Sequence, residues 1–249
     1  VRGLPAYGVQ RRANSLGVLR KRAAGGGDSS LLTGLVSYWK LDETSGTRFD
    51  SAGTNNLADN GGVGATIGKQ GNAASFVASS SDYLKLASSS FGLTDAMSLA
   101  FWVKLSATGT FMTFFQLGDQ STPGSWLLQK IDTGALRLAP YPAKPSDFHD
   151  SPVLLTSTGI WYHVVFTINS SGAALVYLNG SSNAMTGTTP IGPSGSLQFT
   201  VGRRDDLASQ YVDGAIDEVG LWSRVLTSGA GGEIGQLYNG GAALTYPFS

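Results

Sequence analysis

The sequence predicts an all-β protein, a sandwich of two antiparallel sheets with an extended basic arm in front and a short helix at its C-terminal end. Three observations carry that prediction. Trp161 to Ile168 is dense in β-branched and aromatic residues, which favour strands. Asn169-Ser170-Ser171-Gly172 is a turn cluster, Ala173 to Leu178 runs back, and Asn179-Gly180 follows, the dipeptide suited to a type I′ turn. Thirty-four glycines among 249 residues, with many Ser and Thr and few charges, suit short strands joined by many turns. So well specified a hairpin has a face to bury, and the other strands are read as its cover.

Composition narrows the function. The formal net charge is zero, which excludes bulk attraction to nucleic acid or acidic membranes and leaves only local attraction. Cysteine is absent, so neither disulfides nor thiol chemistry contribute. No apolar run is long enough to span a bilayer, and the basic first thirty residues lack the apolar core of a signal peptide. The expectation is one large domain without membrane insertion, on a virion or an extracellular surface.

Residues 1–33 form the arm. Arg2, Arg11, Arg12, Arg20, Lys21 and Arg22 precede the first acidic residue, Asp28, and Gly25-Gly26-Gly27 marks a hinge. Such an arm is a solvated tail, an anchor that orders along a larger assembly such as a capsid, or a contact for nucleic acid. The last is least favoured, because charges without interleaved aromatics attract phosphate but read nothing.

The domain occupies 34–249. Leu35 to Leu41 is the first strand, and the polar loop after it holds Asp42, Glu43 and Asp50. Ala73 to Val77 and Tyr83 to Leu86 are short strands. Ser98 to Lys104 alternates Leu99, Phe101 and Val103 on one face with Ala100 and Trp102 on the other, which suits a central strand covered on both sides. Phe111 to Leu117, Ser125 to Ile131 and Ala135 to Ala139 continue as a meander. Pro140, Pro142, Pro145 and Pro152 predict a loop that carries Tyr141, Phe148 and His149. Beyond the hairpin, Ser196 to Gly202 is a strand and Arg203-Arg204-Asp205-Asp206 a solvated charged turn. Gly214 to Trp222 is the last strand, and Ser228 to Tyr238 a sealing helix.

Three segments carry a family resemblance. They are Trp161-Tyr162-His163-Val164-Val165 with Leu175-Val176-Tyr177-Leu178-Asn179-Gly180, then Tyr38-Trp39-Lys40-Leu41-Asp42-Glu43 with its following loop, and Ile216-Asp217-Glu218-Val219-Gly220-Leu221-Trp222 with the closing helix. In that pattern the chain resembles the laminin-G-like, concanavalin A-like jelly-roll domains. The resemblance implies a jelly roll over residues 34–240, in a fold that hosts lectins, enzymes and structural modules. It also implies a structural calcium in some members, where the first loop meets the last strand, which would bring Glu43 or Asp50 towards Asp217. The other reading makes these acids turn caps and partners of loop amides.

Enzymatic motifs are missing. Glycosidases on this sandwich carry Glu-x-Asp-x-x-Glu, but Ala215-Ile216-Asp217-Glu218-Val219 has Ala first and no second acid at the needed spacing. No Gly-x-Ser-x-Gly elbow occurs, nor a histidine pair at metal-ligand spacing. The expectation is therefore a non-enzyme. One class is a structural or decoration protein of a larger particle such as a phage virion, anchored by its arm. The alternative is a free-standing carbohydrate-binding module using Trp126, Tyr141, Phe148 and Tyr211, with a glycoside hydrolase less favoured.

Overall fold

The computed structural model describes residues 29–89, 91–119, 121–141, 147–192 and 195–248. Its strands run β1 (Leu35–Trp39), β2 (Ala58–Asn60), β3 (Gly64–Ile67), β4 (Asn72–Phe76), β5 (Tyr83–Leu86), β6 (Met97–Leu105), β7 (Met112–Leu117) and β8 (Ser125–Lys130). They continue with β9 (Ala135–Tyr141), β10 (His149–Val153), β11 (Trp161–Ile168), β12 (Ala174–Leu178), β13 (Ser181–Ala184), β14 (Phe199–Val201) and β15 (Gly214–Trp222), before helix α1 (Glu233–Tyr238).

Two antiparallel sheets result. The eight-stranded one is ordered β13-β12-β11-β6-β15-β4-β3 with β1 paired to β15, and the seven-stranded one β10-β9-β8-β7-β14-β5-β2. Asn179 and Gly180 both take positive φ, as the β12–β13 turn requires. Strand β6 lies between β11 and β15, as its two apolar faces predict. Leu99, Phe101 and Val103 join Trp39, Trp126 and Phe199 in the core between the sheets. Trp39 stacks on Phe199 with centroids 5.6 Å apart. Each such side chain contributes about 1.5–3 kcal/mol when fully buried.

The two outer faces differ, and that difference positions the site. On the eight-stranded sheet Tyr38, Val165, Tyr177 and Trp222 are sealed under Ile234, Leu237 and Phe248 of α1 and the C-terminal segment. Among the described residues the outer face of the seven-stranded sheet carries a small apolar group, Leu127, Ala139 and Tyr141, with Phe148 packed on it. Among the described residues no helix is long and apolar enough to cross a membrane.

Some expectations are corrected. Residues 30–33, read as part of the arm, are fastened to the sandwich: Trp222 Nε1 donates to Leu31 O at 2.7 Å, and Arg224 donates to the carbonyls of Thr33 and Ser30. Arg2, Arg11, Arg12, Arg20, Lys21 and Arg22 lie outside the described residues. The proline-rich stretch is not all loop. Pro140 lies in β9 beyond the last pair of that strand with β10, and Pro152 sits where the register of edge strand β10 shifts, two places where a missing N–H is tolerated.

The β3–β4 turn is held from two sides. Asp42 Oδ1 accepts from Asn72 N at 2.8 Å, and Asp217 Oδ2 accepts from Lys69 N at 2.6 Å and Gln70 N at 3.1 Å. Gly71 between them has φ +53°, and a Cβ there would land on Asp42 Oδ1. Gly71→Ala is therefore expected to cost about 2 kcal/mol in urea denaturation, from left-handed strain plus loss of the Asp42 contact. An unchanged midpoint would mean that the turn is not fastened in this way.

Candidate functional site

Strand register places polar side chains in rows on the outer face of the seven-stranded sheet. One row is Thr113, Gln129, Arg137 and Asp150, across β7, β8, β9 and β10. The next is Lys85, Thr200, Gln116, Leu127 and Ala139. Tyr141 pairs with Ser125 in a third row. Alternation along β8 sends Leu127 and Gln129 outward and Trp126 and Leu128 into the core.

A charged and aromatic framework stands on these rows. Arg137 makes a two-pronged pair with Asp150, both contacts at 2.7 Å, while its guanidinium lies 4.6 Å from the Phe148 ring centroid. Gln116 donates to Asp206 at 2.8 Å and accepts from Asp205 N at 2.8 Å, which ties the 203–206 turn down onto the sheet. Asp205 receives Lys85 at 3.0 Å, Gln198 and Arg203, and Arg204 pairs with Asp206 at 3.3 Å. Burial opposes ionising Asp205, but Arg203 and Lys85 outweigh it and hold the carboxyl below its usual range. Arg204 Nη2 reaches Tyr141 OH at 3.5 Å, and burial pushes that phenol up, so it stays a neutral hydroxyl. Arg203 lies 3.6 Å from the Tyr83 ring centroid. The 203–206 turn is thus no solvated pairing, since the Asp205 side chain is only 6% exposed.

A pocket of about 220 Å³ opens at one end of this sheet, lined by Gly118, Asp119, Thr122, Ser196, Leu197 and Gln198. Gln198 links it to the charged framework through Asp205. The amides of Ser121 and Thr122 and the Ser121 hydroxyl bind Asp119 Oδ1, and they hold that carboxyl at about 2.

Of the four aromatics expected to contact ligand, Tyr141 and Phe148 meet on this face. Tyr211 is half-buried in the adjoining loop, near Arg203. Trp126 is fully buried among the core side chains, so it is a packing residue. Arg137, Asp150, Gln116 and Gln129 were not singled out from sequence; the outward positions of an alternating strand were the available signal.

The three acids expected at a metal serve separate sets of amides. Glu43 accepts from Phe49 N at 2.8 Å, Asp50 accepts from Tyr38 N, Ala52 N and Asn55 N, and Asp217 holds the β3–β4 turn. Among the described residues no group of three or more His, Cys, Asp or Glu is gathered as a metal centre needs. Each of the three acids thus sits among its own loop amides. Both histidines are buried: His149 Nε2 lies 2.8 Å from Thr189 O, and burial pushes His163, between Trp102 and Tyr238, down to about 3.

Asp217 and Glu218 adjoin in a bulge of β15 where Glu218 takes φ 50°, and Tyr38 OH donates to Glu218. Burial pushes Asp217 up to about 8 and Glu218 to about 7. A carboxyl raised in the folded state contributes stability that is fully present below its unfolded value and is lost as pH rises through its folded value. The melting temperature is therefore expected to fall between pH 5 and about 8.5, with a shallower fall in Asp217→Asn. Calcium that raised the melting temperature at pH 8 would instead put a cation among these oxygens.

A family model for the concanavalin A-like lectin/glucanases superfamily matches residues 78–230. Among solved structures, the chain is similar to domain 4 of AbnA, a GH43 extracellular arabinanase from Geobacillus stearothermophilus, in complex with arabinotriose. The identity is 22% over 78% of this chain and 94% of that one, with TM-score 0.60. It is also similar to the binding domains of Paraclostridial Mosquitocidal Protein 1 and of botulinum neurotoxin serotype G. Both are 17% identical, over 84% and 82% of this chain, with TM-scores 0.61 and 0.59. This chain covers 52% and 50% of those two chains. At such identities the likeness is one of fold. No curated protein sequence matches the chain.

Proposed function

We propose, from the premise that this chain belongs to the concanavalin A-like lectin/glucanases superfamily, that it is a non-enzymatic glycan-binding module whose site is the outer face of the seven-stranded sheet. The observation that carries this reading is the convergence there of planar polar groups around a small aromatic and apolar floor. Arg137–Asp150 and Arg204–Asp206 flank Tyr141 and Phe148, which pack with the buried Leu127 and Ala139. A sugar needs both parts, with C–H faces laid on the floor and hydroxyls bound by fixed amides, guanidinia and carboxylates. The GH43 domain solved with arabinotriose adds a ligand-bound example of the fold.

Binding without turnover is favoured by the carboxylates themselves. A general acid for glycoside cleavage must keep its proton at working pH. On this face Asp150, Asp205 and Asp206 are each paired with a cation, and Asp205 is held below its usual range. The particle-decoration reading rests on the arm, most of which lies outside the described residues, so recognition by the domain is the reading taken.

The test is a broad glycan array probed with the intact chain and with Phe148→Ala. Binding to at least one glycan class is expected, weakened about tenfold in the variant, because an aromatic wall of the floor is removed. No reducing ends should be released from the bound glycan. Silence of the intact chain across the array would overturn the proposal.

A further inference from the structure

We infer that this face selects uncharged glycans, oligosaccharides that present hydroxyls but no carboxylate or sulfate. The inference rests on the glycan-binding reading and narrows it to one class of sugar. Its first support is charge already satisfied. Among the described residues the four cations of the face each have a carboxylate: Arg137 has Asp150, Arg204 has Asp206, and Arg203 and Lys85 share Asp205. An acidic sugar would meet guanidinia that are already neutralised, and would bring its own charge beside Asp150 or Asp206. Like charges at that range disfavour ionisation and binding, with no compensating ion pair to form.

The second support is the kind of group left without a partner. Gln129 sits in the row between Thr113 and Arg137, is 5% exposed, and its Oε1 has no hydrogen-bond partner within the protein. Ser125 Oγ and Thr200 Oγ1, in strands of the same sheet, are likewise buried without one. A buried amide oxygen left bare is costly, and what it needs is a donor. A sugar hydroxyl donates and accepts, whereas a carboxylate or sulfate oxygen only accepts. A hydroxyl therefore answers these oxygens, and an added carboxylate or sulfate gains nothing from them.

The size of the end pocket agrees with this. About 220 Å³ takes one sugar ring, and its polar groups are Asp119, Thr122, Ser196 and Gln198. Among the described residues no cation lines it, and the one charge is a carboxylate held at about 2, which would repel an acidic residue seated there.

The experiment is titration calorimetry of the intact protein against matched oligosaccharides, neutral arabinan, galactan and mannan fragments on one side and galacturonan and sulfated galactan fragments on the other. Neutral fragments are expected to bind at least about tenfold more tightly, with less than about twofold change between 50 and 500 mM salt, since no net charge is exchanged. Gln129→Leu should weaken the neutral ligand by about tenfold, because the buried acceptor that the hydroxyl answers is gone. Asp150→Asn uncovers the Arg137 charge and should raise binding of the acidic fragments, a gain that misfolding would not produce. Tighter binding of acidic fragments by the parent, or affinity that collapses with salt, would overturn the inference and leave the glycan reading standing. Absence of binding to every fragment in both sets would overturn the two together.

Discussion

An Arg224→Ala variant is expected to be less stable than the parent by about 3 kcal/mol, a fall of roughly 6–12 °C in Tm for a domain of this size. Arg224 is where the two ends of the domain are fastened. Its Nε donates to Thr33 O at 2.6 Å and its Nη2 to Ser30 O at 2.8 Å, while both Nη atoms grip Glu233 at 2.8 and 2.6 Å. The Glu233 side chain is 4% exposed, so removing Arg224 strands a buried carboxylate at the first turn of α1 and frees the segment before β1. The hydrogen bonds from Arg224 pull the Glu233 carboxyl down to about 2. A depressed carboxyl contributes stability that is present above its unfolded value and lost as pH falls towards its folded one. The parent should therefore lose this contribution between about pH 4.5 and 2, and the variant should show a flatter acid limb. Equal midpoints for parent and variant at pH 7 would show that the clip is not holding the domain together.

Arg137→Ala is expected to weaken the glycan that the array identifies by about 10- to 100-fold, as loss of a charged hydrogen-bonding group in a binding site does. The Arg137 and Asp150 side chains are 23% and 33% exposed, so stability should change by less than about 1 kcal/mol. Trp126→Phe provides the contrast. It trims a fully buried core ring from the opposite face of the neighbouring strand, and it should lower stability while leaving affinity within about twofold. Calorimetry and thermal melts on both variants separate the two effects. A reversed pattern, with binding lost in Trp126→Phe and kept in Arg137→Ala, would place the ligand elsewhere.

Long strands with strong local signals were legible in the sequence. The Trp161–Ile168 strand, its Asn179-Gly180 turn and the Gly214–Trp222 strand stand where composition and turn chemistry put them. Strands β2, β3, β10 and β13 were not, because each is only three to five residues long, and Ser181-Ser182-Asn183-Ala184 or His149-Asp150-Ser151-Pro152-Val153 lacks an apolar alternation to read. The site was legible only in fragments. Tyr141 and Phe148 were visible as aromatics, but Arg137 gained meaning only when β10 carried Asp150 beside it.

The sequence by itself determined that two β layers form and which side chains fill the space between them, because alternation and turn residues act over a few positions of chain. Only the tertiary structure decided what covers each outer face. The helix and C-terminal segment, remote in sequence from β6 and β11, fold over the eight-stranded sheet and bury its aromatics. The seven-stranded sheet receives instead a charged turn held by Gln116, Lys85 and Gln198. Partners so far apart along the chain leave no local pattern, since their pairing follows from the closure of the sandwich and the charge it brings together.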